Sequence, residues 1–311
     1  MTKSEFLAQL RRRISNQPPE EIERSISYFS EIIDDRMEDG MDEQEAVSSL
    51  GSIDTIVREM LPNDSELKLG SYPAREVSSV RIRDINCAVI LECSDGDVIS
   101  LDYYENKHKK YEIFLSPEGE LSVRSKYSKM RFFGFNAFRP FVLRMPRSYR
   151  GKISLETGNG PIRAKDVNIE GSFSVKTSNG VIDIIDVSIE GMAEIRTSNA
   201  RIYLENLTAS HIRAKTMNGR IDAISTRAKN TVSLQTMNGR IHVERLYAEK
   251  GISLVTSNAG IHGTIDDNIR TFSIKSRTMN GNSTLPSNMD GGTKDLSVHT
   301  MNGNIDLHFL K

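Results

Sequence analysis

The 311-residue chain has no tryptophan, only two cysteines (Cys87 and Cys93), and an aromatic content of 6%. Two cysteines at that spacing cannot build a disulfide framework or a Cys-x-x-Cys metal or redox pair, so reduced thiols are expected. No apolar run approaches the ~20 residues of a membrane span, the best being the short stretch from Ala88 to Leu91, and the first residues lack a signal-peptide core. A cytoplasmic protein is therefore expected. An excess of positive charge is also missing. The formal net charge is -1, and residues 1–61 carry 14 Asp plus Glu against 7 Lys plus Arg. Such an acidic head lacks the charge that neutralises phosphates, which argues against direct DNA binding by it. Gly-rich phosphate loops, a Ser-His-Asp constellation and a dinucleotide fingerprint are absent too, because the glycine spacing is used up by a repeat.

That repeat is the phrase Thr-x-Asn-Gly or Thr-x-Asn-Ala. Its threonines are Thr157, Thr177, Thr197, Thr216, Thr236, Thr256, Thr278 and Thr300, with successive spacings of 20, 20, 19, 20, 20, 22 and 22 residues. A fixed period of this length means stacked structural units. Apolar residues two and four places before each threonine (Ile153 and Leu155, Val232 and Leu234) alternate as in a strand. The alternation resumes two and four places after the glycine, as in Ile162 and Ala164 or Ile241 and Val243. A third apolar pair in the first two units, Val167 with Ile169 and Val187 with Ile189, leaves room for three short sides per coil. The fold class expected is a single-stranded β-solenoid of about 20 residues per coil, preceded by a small all-α four-helix domain. Coils stacked at roughly 4.8 Å place Asn159, Asn179, Asn199, Asn218, Asn238, Asn258, Asn280 and Asn302 one above another as an amide ladder. The threonines are expected to form a parallel ladder, and each Asn-Gly pair to supply a φ > 0 turn.

The order along the chain is helical head, linker, degenerate coils, regular coils. Thr2 and Glu5 predict a capping box for a first helix carrying Phe6, Leu7, Leu10 and Ile14. Pro18 and Pro19 separate it from a second helix with the stripe Ile22, Ile26, Phe29, Ile33 and Met37, whose opposite face is acidic and which Gly40 ends. Asp42 with Glu45 opens a third helix, and residues 53–61 form a fourth. The expected divisions are 1–62 head, 63–75 polar linker, 76–150 degenerate coils and N-terminal cap, and 151–311 regular coils. Within the degenerate stretch, Cys93 is aligned with the threonine position, with Asp95 and Gly96 as its turn. Residues 103–150 read as irregular, and Phe132, Phe133, Phe135, Phe138 and Phe141 are expected to cap the first coil.

The start Met1 to Leu7, the Pro-Pro-Glu-Glu opening of the second helix, Gly40, and the run from Glu45 to Gly51 resemble the bacterial HAAS domain. That resemblance implies a small helical signalling module, often encoded beside PadR-type transcription regulators and often joined to membrane helices. A PadR-type regulator is thus the first candidate partner for the head. From about residue 76 onward the chain resembles the "putative adhesin" family of bacterial β-strand repeat proteins, which implies a solenoid-like fold without implying a chemistry.

The outward positions carry the candidates for chemistry. Asp183 and Asp222 lie two coils apart, roughly 9.6 Å, which is just beyond the carboxylate separation of inverting glycosidases; no third acid joins them, and Tyr203 is the sole aromatic on that face. His242 and His262 occupy equivalent places in adjacent coils without a completing ligand. No cofactor is implied. A basic line remains, Arg196, Arg213 and Lys215 before the turns and Arg201, Arg220 and Arg240 after them, as a possible anion-binding stripe. The function expected is a non-enzymatic interaction protein whose head docks a protein partner and whose solenoid is a rigid scaffold. A surface adhesin is the alternative and a polysaccharide-active enzyme a remote one.

Overall fold

The computed structural model describes residues 1–15, 19–38, 40–60, 65–106, 109–127, 139–147 and 149–311. Four helices come first: α1 (Lys3–Arg13), α2 (Pro19–Glu38), α3 (Glu43–Ser48) and α4 (Ile53–Met60). Thr2 and Glu5 close the capping box reciprocally, and the Asp42 side chain accepts from the Glu45 N–H at the start of α3. Phe6, Leu10 and Ile14 of the first helix meet Phe29 and Ile33 of the second and Ala46, Val47 and Ile56 of the others in one small core.

After the head the described residues are mainly β-structure, wound into coils most of whose strands pair in parallel with the coils before and after. Strands before the turn form one face, such as Phe173–Lys176 between Lys152–Thr157 and Met192–Arg196. Strands after the turn form the other, such as Ile182–Ile185 between Ile162–Lys165 and Ile202–Glu205. The registers superpose like on like. Ile162, Ile182, Ile202, Ile221, Ile241, Ile261 and Ile305 make one continuous inner column, each at most 1% exposed. Beta-branched side chains suit such a column because their χ1 is already restricted in a strand. The third side closes the interior with Val167 and Ile169, Val187 and Ile189, and their successors Leu207 and Ala209.

Two kinds of side-chain bond tie the coils together at the Thr-x-Asn-Gly corner. The asparagines point outward and pass a hydrogen bond along the stack: Asn179 Nδ2 donates to Asn159 Oδ1 at 2.6 Å, Asn199 to Asn179 at 2.6 Å, Asn218 to Asn199, Asn238 to Asn218 and Asn258 to Asn238 at 2.7 Å each. Apart from Thr278, which is half-buried, the threonines face inward and are almost fully buried. They do not bond to one another, as a threonine ladder would. Each hydroxyl donates to the turn carbonyl of the neighbouring coil, Thr177 to Gly160 at 3.2 Å and Thr236 to Gly219 at 2.9 Å. In the coils of Thr157, Thr177, Thr216 and Thr236 it also accepts from the glycine N–H of its own turn, as from Gly180 and Gly239.

The glycines of this corner do not adopt positive φ. Their requirement is proximity: a Cβ on Gly180 would lie 2.0 Å from the Gly160 carbonyl oxygen, and one on Gly239 would lie 2.0 Å from that of Gly219. Left-handed backbone occurs instead at the second corner, nine residues after the threonine, in Asp166, Asp186, Asn206, Ser225 and Arg245 with φ between 48° and 55°. Short polar residues tolerate this region because their side chains can bond locally, and four of these five are of that type.

The stacking order departs from chain order at both ends. Lys294–Thr300 lies between Gly251–Val255 and Phe272–Thr278, so the last coil is inserted beneath the one preceding it in sequence. Accordingly Asn302 donates to Asn258, and Asn280 donates to Asn302 from outside. At the other end Ser79–Asp84 lies between Glu120–Tyr127 and Lys152–Thr157. This register corrects the alignment of the degenerate coil. Asp84, not Cys93, is the partner of Thr157, and Asn86 accepts from Asn159 at 2.5 Å to continue the amide chain. Cys93 lies on the post-turn face opposite Met145, half-buried.

Residues 103–150 are more regular than expected. Lys109–Leu115 and Glu120–Tyr127 form an antiparallel pair, and Phe141–Pro146 lies on Val89–Ser94. Phe141 is fully buried, flanked by Tyr103 and Tyr111 at ring-centroid distances of 5.7 and 5.3 Å, whereas Phe132, Phe133, Phe135 and Phe138 lie outside the described residues. Residues 66–73, expected in the linker, form an edge strand antiparallel to Val98–Glu105.

Asp84 anchors this cap. Its carboxylate accepts from the Lys109 ammonium at 2.9 Å, Tyr111 Oη at 2.5 Å, Tyr127 Oη at 3.0 Å and the Cys87 N–H at 2.8 Å. Burial pushes the Asp84 pKa up, but the Lys109 charge and these donors outweigh it, and the net shift is downward. Burial likewise opposes the Lys109 charge, and its acidic and phenolic neighbours overcome that to raise its pKa.

Replacing Thr236 by isosteric Val should destabilise the fold by about 2–3 kcal/mol, because a buried carbonyl and N–H lose their partner. Asn238→Val, at a solvated corner, should cost only about 1 kcal/mol, and Met237→Ser close to nothing. Denaturant melts check the order, and an asparagine effect equal to or above the threonine effect contradicts it. Asp84→Asn strands the buried ammonium and should cost about 3–5 kcal/mol at neutral pH. The folded pKa of Asp84 lies below its unfolded value, so its contribution is complete above about pH 4 and is lost as pH falls through the folded value. The Lys109 contribution is complete below about pH 10 and is lost as pH rises through its raised value. The gap between wild type and variant should therefore narrow in acid, and a gap constant from pH 7 downward would contradict this.

Candidate interaction surface

The basic residues singled out by the sequence do not form one line. Arg196, Arg213 and Lys215 lie on the pre-turn face, on strands Met192–Arg196 and Thr208–Lys215, and are exposed. Arg201, Arg220 and Arg240 stand beyond the corner, at the entrance to the post-turn face. The corner residues Thr197 to Ala200 separate the two groups.

The arginines of the post-turn face are held from below. Asp183, 8% exposed, accepts from Arg163 Nε at 3.3 Å and from Arg201 Nη2 at 3.4 Å; Asp222, also 8% exposed, accepts from Arg220 Nε at 2.9 Å. Both aspartates are thus engaged in bracing guanidinium groups. Tyr203, between them in register, bonds to Glu205 at 2.9 Å. His242 and His262 stack with ring centroids 4.7 Å apart, and burial first, then the His242 charge, lowers the His262 pKa. Among the described residues no set of three or more His, Cys, Asp and Glu side chains is arranged to hold a metal ion.

From above, the same arginines meet the head. Glu31 of α2 pairs with Arg163 at 3.0 Å, Asp35 with Arg201 at 3.8 Å and with Arg220 at 3.7 Å, and Glu38 with Arg220. These carboxylates fall at helical positions i, i+4 and i+7, one face of α2. The helix thus turns its apolar stripe into the head and its acidic stripe onto the solenoid. The apolar cores of the two parts are separate clusters, so ion pairs dominate the named contacts between them. Partly exposed pairs of this kind are worth about 0–1 kcal/mol each and are screened by salt. Arg201 is the most instructive: burial lowers its pKa, and Asp183 and Asp35 more than restore it. Sequence reasoning left Arg163 out of the stripe because it sits two places later in its coil than Arg201 does. Its signal was its outward position beside Asp183 in register.

A helical head ion-paired to a capped stack of parallel coils defines a two-part β-solenoid protein. Residues 77–308 match the family model of Toastrack, DUF4097. The chain belongs to that family, and its head, residues 5–59, matches the HAAS model. Among solved structures it is similar to a "putative adhesin" from Bacteroides fragilis NCTC 9343, with 14% identity over 78% of this chain and 97% of that one and a TM-score of 0.47. It is also similar to a "putative cell adhesion protein" from Clostridium sporogenes ATCC 15579, with 12% identity over 79% and 99% of the two chains and a TM-score of 0.30. A "putative adhesin" from Parabacteroides merdae ATCC 43184 shows 10% identity over 78% and 96% with a TM-score of 0.37. No curated protein matches the chain. Among the described residues no helix is long and apolar enough to cross a membrane.

Proposed function

We propose that this is a non-enzymatic interaction protein, in which the HAAS head docks a protein partner and the solenoid is the rigid scaffold that carries it. The observation behind this reading is the division of labour in the structure. Every regular coil is tied to its neighbours by buried hydroxyl–carbonyl bonds and an amide chain, whereas the head has its own core and is joined to the stack through solvated charge. A rigid array bearing a weakly attached module suits recognition.

The expected acidic docking face needs revision, because the carboxylates of α2 already face the solenoid. Among the large apolar side chains that the head leaves exposed are Met37 and Met41, each 39% exposed, at the end of α2 and just after it. Methionine adapts to irregular partner surfaces, and acidic neighbours such as Asp42 and Glu43 would steer a basic one. A PadR-type regulator is the first candidate by the association of the HAAS family. Cys87 and Cys93 are both in the thiol form, which suits a cytoplasmic setting. The exposed group Arg196, Arg213 and Lys215 remains as a possible anion-binding patch on the scaffold. Changing Met37 and Met41 jointly to Ser should abolish retention of the partner in pull-downs with the full chain while leaving the melting temperature unchanged. Undiminished retention, with cross-links to the partner confined to residues 77–308, would place recognition on the solenoid instead.

A further inference from the structure

The fit between α2 and the solenoid is specific in spacing yet incomplete. Residues 31 to 38 advance about 10 Å along a helix at 1.5 Å per residue, and Arg163 to Arg220 spans three coil steps, or about 14 Å. The long arginine side chains make up the difference. Three features show that the occupant does not satisfy the surface fully. Asp35 is shared between Arg201 and Arg220 at 3.8 and 3.7 Å, beyond hydrogen-bond range of both. Arg201 Nε is buried and has no hydrogen-bond partner among the described residues. Arg240, adjacent to Arg220 in the stack, is exposed, and α2 spans only to Glu38.

We propose that the face formed by Arg163, Arg201, Arg220 and Arg240 is a receptor for an acidic α-helix of a partner protein, which α2 occupies in cis until displaced. The helix it fits presents carboxylates at i, i+4, i+7 and i+11, with glutamate at i+4 to reach the arginines that Asp35 only approaches. The receptor is preorganised: Asp183 and Asp222 fix the guanidinium groups before any ligand arrives, which reduces the ordering cost of binding. A helix one turn longer than α2 would gain Arg240 and the unsatisfied donor of Arg201, and so could displace the head. This inference concerns the solenoid and stands whether or not the head itself recognises a partner.

The test uses the full chain, as wild type and as the variant E31Q/D35N/E38Q, with circular dichroism to confirm folding. The probes are a labelled peptide copying residues 19–38, the same peptide with glutamate for Asp35 and one further turn ending in a carboxylate at i+11, and a control with the same composition but scrambled spacing. The long peptide should bind the variant about tenfold more tightly than the wild type, where the head competes. It should also bind several-fold more tightly than the short copy. R163S/R201S/R220S, made in the variant background, should abolish binding, and Arg240→Ser should remove only the advantage of the longer peptide. Equal binding of the scrambled control, or of duplex DNA of similar charge, would overturn the helix-specific reading in favour of generic polyanion attraction. Equal binding to wild type and variant, or none to either, would overturn the proposal outright.

Discussion

The hydroxyl of the corner threonine is the contact on which the stack depends. Each coil reverses direction at Thr-x-Asn-Gly, and the turn leaves a carbonyl and an N–H pointing into a dry interior, where an unpaired polar group costs about 1–3 kcal/mol. In the coils of Thr157, Thr177, Thr216 and Thr236 one hydroxyl resolves both: it accepts from the N–H of its own turn and donates to the carbonyl of its neighbour, and in the other coils it makes the donation. Because donor and acceptor lie in different coils, the bond also fixes register, and the isoleucine column follows from that register. The same closeness leaves no room for a Cβ on Gly180 or Gly239 as their coils stand, although Ala200 and Ala259 fill the equivalent place in two other coils. The outer asparagine chain repeats the linkage in water, where it adds less.

A stack of identical coils ends in unpaired strand edges, and this chain deals with both ends by folding back. At one end the pair Lys109–Leu115 and Glu120–Tyr127 covers Ser79–Asp84; at the other the last coil is inserted beneath its predecessor, and the two-residue strand Asn288–Met289 pairs antiparallel with Phe272–Thr278, which is left outermost. Covered or shortened edges resist pairing with other chains. The first cap carries the one deeply buried charge pair among the described residues, Asp84 with Lys109, where the threonine column stops. Asp84 thus takes over the role of the threonine as acceptor, while its second oxygen binds the cap.

Much of this was legible in the sequence, for identifiable reasons. The period, the inward alternation and the asparagine positions are local and recurrent, and the helices of the head carry their caps within four residues. Four things were hidden. Asp84 and Asn86 fill the first corner with Cys87 in place of glycine, so the phrase was recognised too late in the chain, at Cys93. The left-handed corner lies nine residues past the threonine, marked only by Asp166, Asp186, Asn206 and Ser225, while the Asn-Gly pairs drew the expectation of positive φ. The split of the basic line needs the corner between Arg196 and Arg201 to be known in three dimensions. The acidic stripe of α2 was plain in the sequence; that its counter-surface lies in the same chain, 132 residues from Glu31 at Arg163, was not.

Hydroxyl-bonded coils and a charge-held head should respond differently to ionic strength. Dry backbone and hydroxyl bonds are insensitive to screening, whereas part-exposed ion pairs weaken within a Debye length of about 10 Å at 0.1 M salt and 3 Å at 1 M. Amide hydrogen exchange of the full chain, followed from low to high salt and read peptide by peptide, measures both at once. The account predicts that the corners from Thr157 to Asn258 keep the strongest protection throughout, while peptides covering Glu31 to Glu38 and the loop segments beside Arg163, Arg201 and Arg220 lose protection together as salt rises. Protection of α2 that is indifferent to salt, or coils that open in step with it, would contradict the account.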